Sequence, residues 1–173
     1  MALKDEVMDL VLLAIRLKSH CLGAFGEIAQ HRPVFRHKSL PQFKTEKWLQ
    51  AELCFLLHQR YFVGSEIPCE DGYTCDLVIR PSQEVNNPVY IALKCYSASA
   101  QSPTGDAKSL IKDITWACAD ANANRIALVV LPLENGDYTK KLLGKVAPHC
   151  PVECSYRCRV CGCVLVGWWT TRA

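Results

Sequence analysis

Three charged side chains fall where the apolar pattern of the sequence predicts buried surface. Glu52 lies inside the apolar arc of a predicted helix, and Asp76 and Lys94 lie in the middle of two predicted strands. A charge that faces a core is costly unless it is paired. Carboxylate oxygens are the ligands that hard cations prefer, and a positioned ammonium group stabilises negative charge that builds on a substrate. These residue types are therefore candidates for chemistry on an anionic group.

Each of the three residues also has a purely structural explanation. Glu52 could pair with a core arginine or cap a backbone amide, and Asp76 could belong to a turn or to the edge of a sheet. Lys94 could extend its ammonium group to the end of its strand. Their joint occurrence, on one helix and on the second and third strands that follow it, favours one shared site over three separate explanations.

The elements that must position these residues follow from the spacing of apolar side chains. A helix is predicted over residues 44–59, with Trp48, Leu49, Leu53, Phe55, Leu56 and Leu57 in its apolar arc. Strands are predicted at 61–67, 73–80 and 89–97, and an Asp-Gly turn at 69–72 joins the first two. A helix over 106–121 and a buried strand over 126–131 follow.

Outside this core, the pattern predicts further elements at both ends of the chain. Helical spacing runs from about residue 3 to residue 30, and a basic loop follows at 36–41. A short basic helix is predicted at 137–147 and a pair of strands at 152–169. The expected fold is α/β, with a mixed central sheet flanked by helices, an N-terminal helical extension (1–42), a core (44–132) and a cysteine-rich tail (150–173).

The length and composition are those of one compact domain. The chain has 173 residues, of which 50% are apolar, so a sizeable core is expected and disorder, collagen and coiled coil are not. A net charge of +3, from 20 basic and 17 acidic residues, neither requires nor excludes nucleic acid.

The order helix, three strands, helix, strand resembles the core of the PD-(D/E)XK nuclease superfamily, the restriction-endonuclease-like αβββαβ fold. The matching pieces are Glu52, Thr74-Cys75-Asp76 and Ala92-Leu93-Lys94, and the resemblance covers roughly half of the chain. It implies a divalent-metal-dependent endonuclease that hydrolyses phosphodiester bonds in DNA or RNA with Mg²⁺ or Mn²⁺. In the family pattern Glu52, Asp76 and the backbone carbonyl of Leu93 hold the metal, and Lys94 acts on the attacking water or on the phosphate.

The sequence departs from this family pattern at Ala92, where Glu or Asp is expected. Three explanations stay open. The chain is an engineered, inactivated Glu-to-Ala form; or a carboxylate has relocated, with Glu66, Glu70 and Asp71 as candidates; or the core has lost catalysis and is a non-catalytic nucleic-acid or protein-binding module. The first explanation is favoured, because it leaves the remaining charged residues with a purpose.

Basic side chains near the expected site are candidates for phosphate contacts. They are Lys44, Lys47, Lys108 and Lys112, together with the basic loop at 36–41. Such contacts anchor a nucleic acid without reading its sequence. An ordinary solvated basic face explains the same residues equally well.

Eleven cysteines are an unusual number for a chain of this length. The N-terminal residues do not show the pattern of a signal peptide, and no apolar run is long enough to span a bilayer, so an intracellular location (cytoplasmic or nuclear) with free thiols and no membrane contact is expected. Cysteines inside apolar segments are then expected to pack as small hydrophobic side chains.

Five of these cysteines lie in the C-terminal tail. Cys150, Cys154, Cys158 and Cys161 could hold a zinc ion, because Cys158 and Cys161 have the spacing of half a zinc site. A reversible disulfide or simple burial are the alternatives. If the tail is free, the exposed Trp168-Trp169 pair would mark a surface for a second copy of the chain or for a protein partner.

Overall fold

The computed structural model describes residues 6–14, 45–80, 87–96, 102–120, 124–132, 136–150, 155–160 and 163–169, with only the backbone for 45, 48, 132, 155–160 and 163. Its helices are α1 (residues 6–14), α2 (Thr45–His58), α3 (Pro103–Cys118) and α4 (Gly136–Val146), and a 3₁₀ turn follows at Ala147–His149. Its strands are β1 (Val63–Pro68), β2 (Thr74–Ile79), β3 (Val89–Cys95), β4 (Asn124–Pro132), β5 (Ser155–Val160) and β6 (Cys163–Trp168).

The order and type of these elements confirm the pattern predicted from the sequence, with small shifts at the ends. The largest shift is at α3, which begins at Pro103 and not at residue 106. Proline suits the first turn of a helix, because its fixed φ is helical and its missing N–H is not needed there. Within the predicted N-terminal helix, the structure describes residues 6–14 only, and the basic loop at 36–41 lies outside the described residues.

The strands form one mixed sheet in the order β1-β2-β3-β4-β6-β5. Neighbouring strands are antiparallel except for β3 and β4, which are parallel and joined through α3. A parallel pair needs such a crossover because the chain must return to the same end of the sheet. The expected α/β class, with a mixed sheet flanked by helices, is therefore confirmed.

Each face of the sheet is covered by helices, because alternate strand residues point to opposite sides. One apolar cluster joins α1 and α2 to the sheet and includes Met8, Leu49, Leu53, Leu57, Ile91, Leu93 and Leu128. The other joins α3 and α4 and includes Val78, Ala92, Leu110, Ile114, Val129 and Leu142. Burial of each large aliphatic side chain contributes about 1.5–3 kcal/mol, so these two clusters are the main stabilising element of the fold.

The turn between β1 and β2 is the tight hairpin that the Asp-Gly pair predicts. Gly72 has a φ of 78° and its N–H donates to the carbonyl of Cys69 at 3.0 Å. The N–H of Cys69 donates to the carbonyl of Tyr73 at 2.7 Å. Glycine is suited to this position because its backbone adopts positive φ without a steric penalty.

The C-terminal strands extend the sheet. β6 pairs with β4 and carries the buried residues Val164, Leu165 and Trp168, while Trp169 is half-buried. The tail is therefore not free at β6, because sheet pairing directs Trp168 into the core. A surface for a second copy or a protein partner on the tail stays a prediction. No helix in the described ranges is long and apolar enough to cross a membrane.

Candidate functional site

The site is built where β2 and β3 stop pairing. Their register ends at Leu77 opposite Ile91. Beyond that pair, the N–H of Leu93 donates to Oδ2 of Asp76 at 2.7 Å, and the carbonyl of Asp76 accepts from Nε2 of Gln50 at 2.7 Å. Side chains thus satisfy backbone groups that the diverging strands leave unpaired. This divergence gives Asp76 a fixed place between the strands.

Lys94 lies on β3 and is held between two helices. Its Nζ lies 3.9 Å from Oε1 of Glu46 on α2 and 3.7 Å from Oδ2 of Asp113 on α3. The ammonium group that the sequence places in the middle of an apolar strand therefore has two carboxylate partners. Asp76 lies within electrostatic range of both of these carboxylates.

The helix carboxylate beside Lys94 is Glu46, whereas the sequence predicts Glu52. Oε2 of Glu46 accepts the N–H of Cys95 at 3.4 Å, which ties the start of α2 to the end of β3. Glu52 is half-buried and lies about 120° further around the helix axis. Among the described residues, no hydrogen bond or ion pair joins Glu52 to Asp76 or Lys94. The first-turn position of Glu46 hides its role, because acidic residues are common there for the sake of the helix dipole.

The second carboxylate beside Lys94, Asp113, is absent from the predicted core stripe of α3. Its residue is only 5% exposed, and its Oδ1 accepts the hydroxyl of Tyr73 at 2.6 Å. Its Oδ2 is buried and accepts no hydrogen bond within the described part of the chain. One available signal was spacing, since Asp113 follows Leu110 by three residues and adjoins Ile114, which places it beside the buried stripe.

The electrostatics of the site show an excess of negative charge. Burial raises the pKa of Asp113 above its ordinary value, and repulsion from Asp76 adds to this, while Tyr73 and Lys94 oppose it. Burial likewise raises the pKa of Glu46; Asp76 again adds to the rise, and Lys94 opposes it. A cation bound among these carboxylates would relieve both effects, because desolvation and like charge each disfavour the ionised form.

Ala92 lies two residues before Lys94 on the same face of β3 and is 0% exposed. It belongs to the apolar cluster that also contains Cys75, Ala107 and Leu110. The relocated carboxylates expected from the sequence have other surroundings. Glu66 pairs with Lys47, Asp71 pairs with Arg125, and Glu70 is exposed on the hairpin turn. Glu46 and Asp113 are the carboxylates paired with Lys94.

The donors at this site suit a hard divalent cation with few protein ligands. The described residues contain no group of three His, Cys, Asp or Glu side chains that could hold a metal ion. Mg²⁺, however, is commonly bound by one or two carboxylates together with water and substrate phosphates. Asp76 and Glu46 supply carboxylate oxygens, and Oδ2 of Asp113 has unused acceptor capacity. The use of the Leu93 carbonyl as a ligand stays a prediction.

The predicted zinc site falls mostly outside the described side chains. Cys150 is half-buried, and its thiol donates to the carbonyl of Val146 at 3.4 Å. Cys154 and Cys161 lie outside the described residues, and Cys158 lies on β5, where only the backbone is described. The zinc site therefore stays a prediction.

The predicted phosphate-binding lysines lie on two helices. Lys47 donates to Oε1 of Gln50 at 2.9 Å and pairs with Glu66. Lys108 and Lys112 are exposed on α3, and Nζ of Lys112 lies 5.7 Å from the centre of the Tyr73 ring. Lys44 lies outside the described residues. Lys47 is adjacent in sequence to Glu46 and Lys112 to Asp113, and each lysine lies in electrostatic range of its neighbouring carboxylate.

Comparison of the chain with models of protein families, with curated proteins and with solved structures finds no match. The chemistry of the site is therefore inferred from its geometry. An ammonium group between carboxylates whose pKa values are raised suits the binding of an anionic group together with a divalent cation.

Proposed function

We propose that the chain is a divalent-metal-dependent endonuclease domain that hydrolyses phosphodiester bonds in nucleic acid. The observation that carries the proposal is the position of Lys94, on a central strand, between Glu46 and Asp113. The carboxylate of Asp76 accepts the N–H of the preceding residue, Leu93. The order α2, β1, β2, β3, α3, β4 is the helix, three strands, helix and strand predicted from the sequence, and it supports the proposal.

The residues of the site have distinct roles in this proposal. The Lys94 ammonium stabilises negative charge on the phosphate and orients the attacking water. Glu46, whose pKa is raised by burial, is a better proton acceptor than an exposed glutamate. Asp76 and Asp113 would hold Mg²⁺ or Mn²⁺, with water and substrate phosphates as the remaining ligands. Such a metal, when bound, would neutralise phosphate charge and lower the pKa of a bound water.

In this proposal, Asp113 replaces the carboxylate that the family pattern expects at Ala92. The relocated-carboxylate explanation thus gains support, with a different residue from those that the sequence suggests. The support is geometric: Oδ2 of Asp113 lies 3.7 Å from Nζ of Lys94, accepts no hydrogen bond among the described residues, and is buried.

One observation favours the alternative, a non-catalytic nucleic-acid or protein-binding module on a degenerate nuclease core. Ala92 is fully buried among apolar side chains, so this part of the site is packed as core. Introducing a larger side chain into a packed core costs about 1–3 kcal/mol, and a carboxylate there adds a desolvation penalty. Binding of nucleic acid without cleavage is the result that this alternative predicts.

The test is cleavage of labelled single- and double-stranded DNA and RNA with Mg²⁺ or Mn²⁺. We expect the unmodified chain to cleave at least one substrate, and Asp76→Asn, Asp113→Asn and Lys94→Met to abolish cleavage while the protein stays folded by circular dichroism. Lys145→Met, at an exposed position on α4, is the control and retains activity.

The remaining outcomes separate the explanations. Cleavage by Ala92→Glu alone would show that position 92 is the disabling change and would overturn the role of Asp113. Loss of activity in Glu52→Gln but not in Glu46→Gln would return the helix role to Glu52. Binding with no cleavage by any variant would reject the nuclease and support the binding module.

A further inference from the structure

A groove of about 480 Å³ runs along α2 beside the site. One stripe of the helix lines it, at a spacing of three and four residues, and includes Lys47, Gln50, Phe55 and His58. Strand β1 supplies Ser65 and Glu66. The groove has the volume of a small-molecule site and combines apolar walls with a few polar groups.

The groove is continuous with the carboxylate–lysine site through two residues of α2. Gln50 lines the groove and also donates from Nε2 to the carbonyl of Asp76 at 2.7 Å. Lys47 lines the groove and directly follows Glu46, with both Glu46 and Asp76 in electrostatic range of its ammonium group. Gln50 and Lys47 therefore connect the groove to the site that contains Lys94.

Phe55 gives the groove an aromatic surface. The sequence places Phe55 in the core, but its side chain is 65% exposed, because the buried face of α2 runs through Leu49, Leu53 and Leu57. It lies about 8 Å from Gln50 along the helix axis. An exposed ring in a groove next to polar side chains suits a nucleobase, which has an aromatic face and a hydrogen-bonding edge.

Glu66 covers the basic end of the groove in a strained conformation. Its φ is 53°, in the left-handed region that non-glycine residues seldom adopt, and its carboxylate pairs with Lys47. Residues held in this region are enriched at active sites and ligand-binding sites. An incoming phosphate would compete with Glu66 for Lys47.

We infer that the groove is a nucleotide subsite in which the base of an unpaired nucleotide stacks on Phe55, so that the substrate is single-stranded nucleic acid or a single-stranded flank. The position of this nucleotide next to the cleaved bond rests on the proposed function. A duplex does not offer such a base, because its bases are stacked on one another and must be extruded to be reached.

Binding without cleavage tests the subsite separately from catalysis. The probe is a short fluorescent oligothymidylate in EDTA, followed by anisotropy, and the reference is an abasic oligomer of equal charge. We expect Phe55→Ala to weaken binding of the oligothymidylate about 5- to 150-fold, the usual effect of one stacked base, and to leave the abasic oligomer unaffected.

Two further variants sharpen this test. Phe62→Ala is the matched control, because Phe62 is 69% exposed and does not line the groove, and we expect it to bind like the unmodified chain. Glu66→Gln releases Lys47 from its partner, so we expect tighter binding of both oligomers and a steeper dependence on salt.

The outcomes distinguish failure of the subsite from failure of the nuclease. Binding that depends on Phe55, in a chain that cleaves nothing with Mg²⁺ or Mn²⁺, keeps the subsite and rejects the nuclease. Two results would reject the subsite. One is that the chain cleaves nucleic acid while Phe55→Ala binds the oligothymidylate as tightly as the unmodified chain. The other is equal affinity for abasic, duplex and base-containing probes. A dimer that Phe55→Ala converts to a monomer in sedimentation would show that a second copy occupies the groove, and would also reject it.

Discussion

Two aspartates contact the same pair of stacked rings and have opposite environments. The rings of Tyr73 and Trp116 stack with their centres 4.2 Å apart. Asp71 accepts from Nε1 of Trp116 at 2.9 Å and from the N–H of Tyr73 at 3.1 Å, and pairs with Arg125 at 2.9 Å. Asp113 accepts from the hydroxyl of Tyr73, but its second oxygen accepts no hydrogen bond among the described residues.

The two pKa values move in opposite directions for this reason. The N–H of Tyr73 lowers the pKa of Asp71, and Trp116 and Arg125 add to the effect. Burial raises the pKa of Asp113 despite Tyr73 and Lys94. A carboxylate whose oxygens are well supplied with donors stabilises the fold, whereas a buried carboxylate with an unused oxygen keeps the capacity to bind a ligand.

The largest expected loss of stability comes from removing Trp116, which stacks on Tyr73. Trp116→Ala removes a buried ring, its stacking on Tyr73 and its hydrogen bond to Asp71, so we expect the free energy of unfolding to fall by about 3–5 kcal/mol. Urea denaturation measures this. Trp116→Phe keeps an aromatic ring but not the indole N–H, so its free energy of unfolding should fall by less than half of the loss expected for Trp116→Ala. A loss below about 1 kcal/mol for the alanine variant would mean that the stack does not join the hairpin to α3.

Asp71→Asn should give the next largest effect. It removes the charge opposite Arg125 and weakens the hydrogen bonds from Trp116 and Tyr73, so we expect a loss of about 1–2 kcal/mol in the free energy of unfolding. The control is Glu70→Gln at the neighbouring exposed position, with a change within about 0.5 kcal/mol. Equal effects of the two substitutions would show that Asp71 has no special structural role.

Asp113→Asn should change the free energy of unfolding by less than about 1 kcal/mol at neutral pH. The amide oxygen still accepts from Tyr73, and the cost of burying an ionised group disappears, which offsets the lost attraction to Lys94. Urea denaturation beside Asp71→Asn makes the comparison direct. If Asp113→Asn lowers the free energy of unfolding as much as Asp71→Asn does, both aspartates stabilise the fold and the contrast between them is wrong.

The smallest expected effect is on how the free energy of unfolding changes with pH, and its sign differs between the two aspartates. Because the pKa of folded Asp113 is raised above 3.8, its stabilising contribution is full below that pH and is lost as pH rises through the folded pKa. Asp113→Asn should therefore gain stability relative to the unmodified chain as pH rises from 4 to 7.

Asp71 should show the opposite slope. Its folded pKa lies below 3.8, so its contribution is present above that pH and is lost as pH falls through the folded pKa. The cost of Asp71→Asn should shrink as pH falls from 4 to 3. Urea midpoints across this range for both variants provide the measurement, and slopes of the same sign would contradict the assigned environments.

Local patterns in the sequence were enough to predict the order of the elements, the Asp-Gly hairpin and the strand positions of Asp76, Ala92 and Lys94. Strand alternation, helical spacing and turn chemistry involve neighbouring residues only, so they can be read directly from the chain. The mixed α/β class followed from the same patterns.

The members of the candidate site could be predicted only in part, because packing between elements selects the partners of a charged side chain. Glu46 and Glu52 lie on one helix, and the docking of α2 on the sheet brings Glu46 to Lys94. The same docking leaves Phe55 exposed on the groove. Burial of Asp113 and its raised pKa arise from desolvation by several elements at once, which no local pattern contains. The sequence by itself thus determined which elements carry the charges, and only the tertiary structure decided which charges meet.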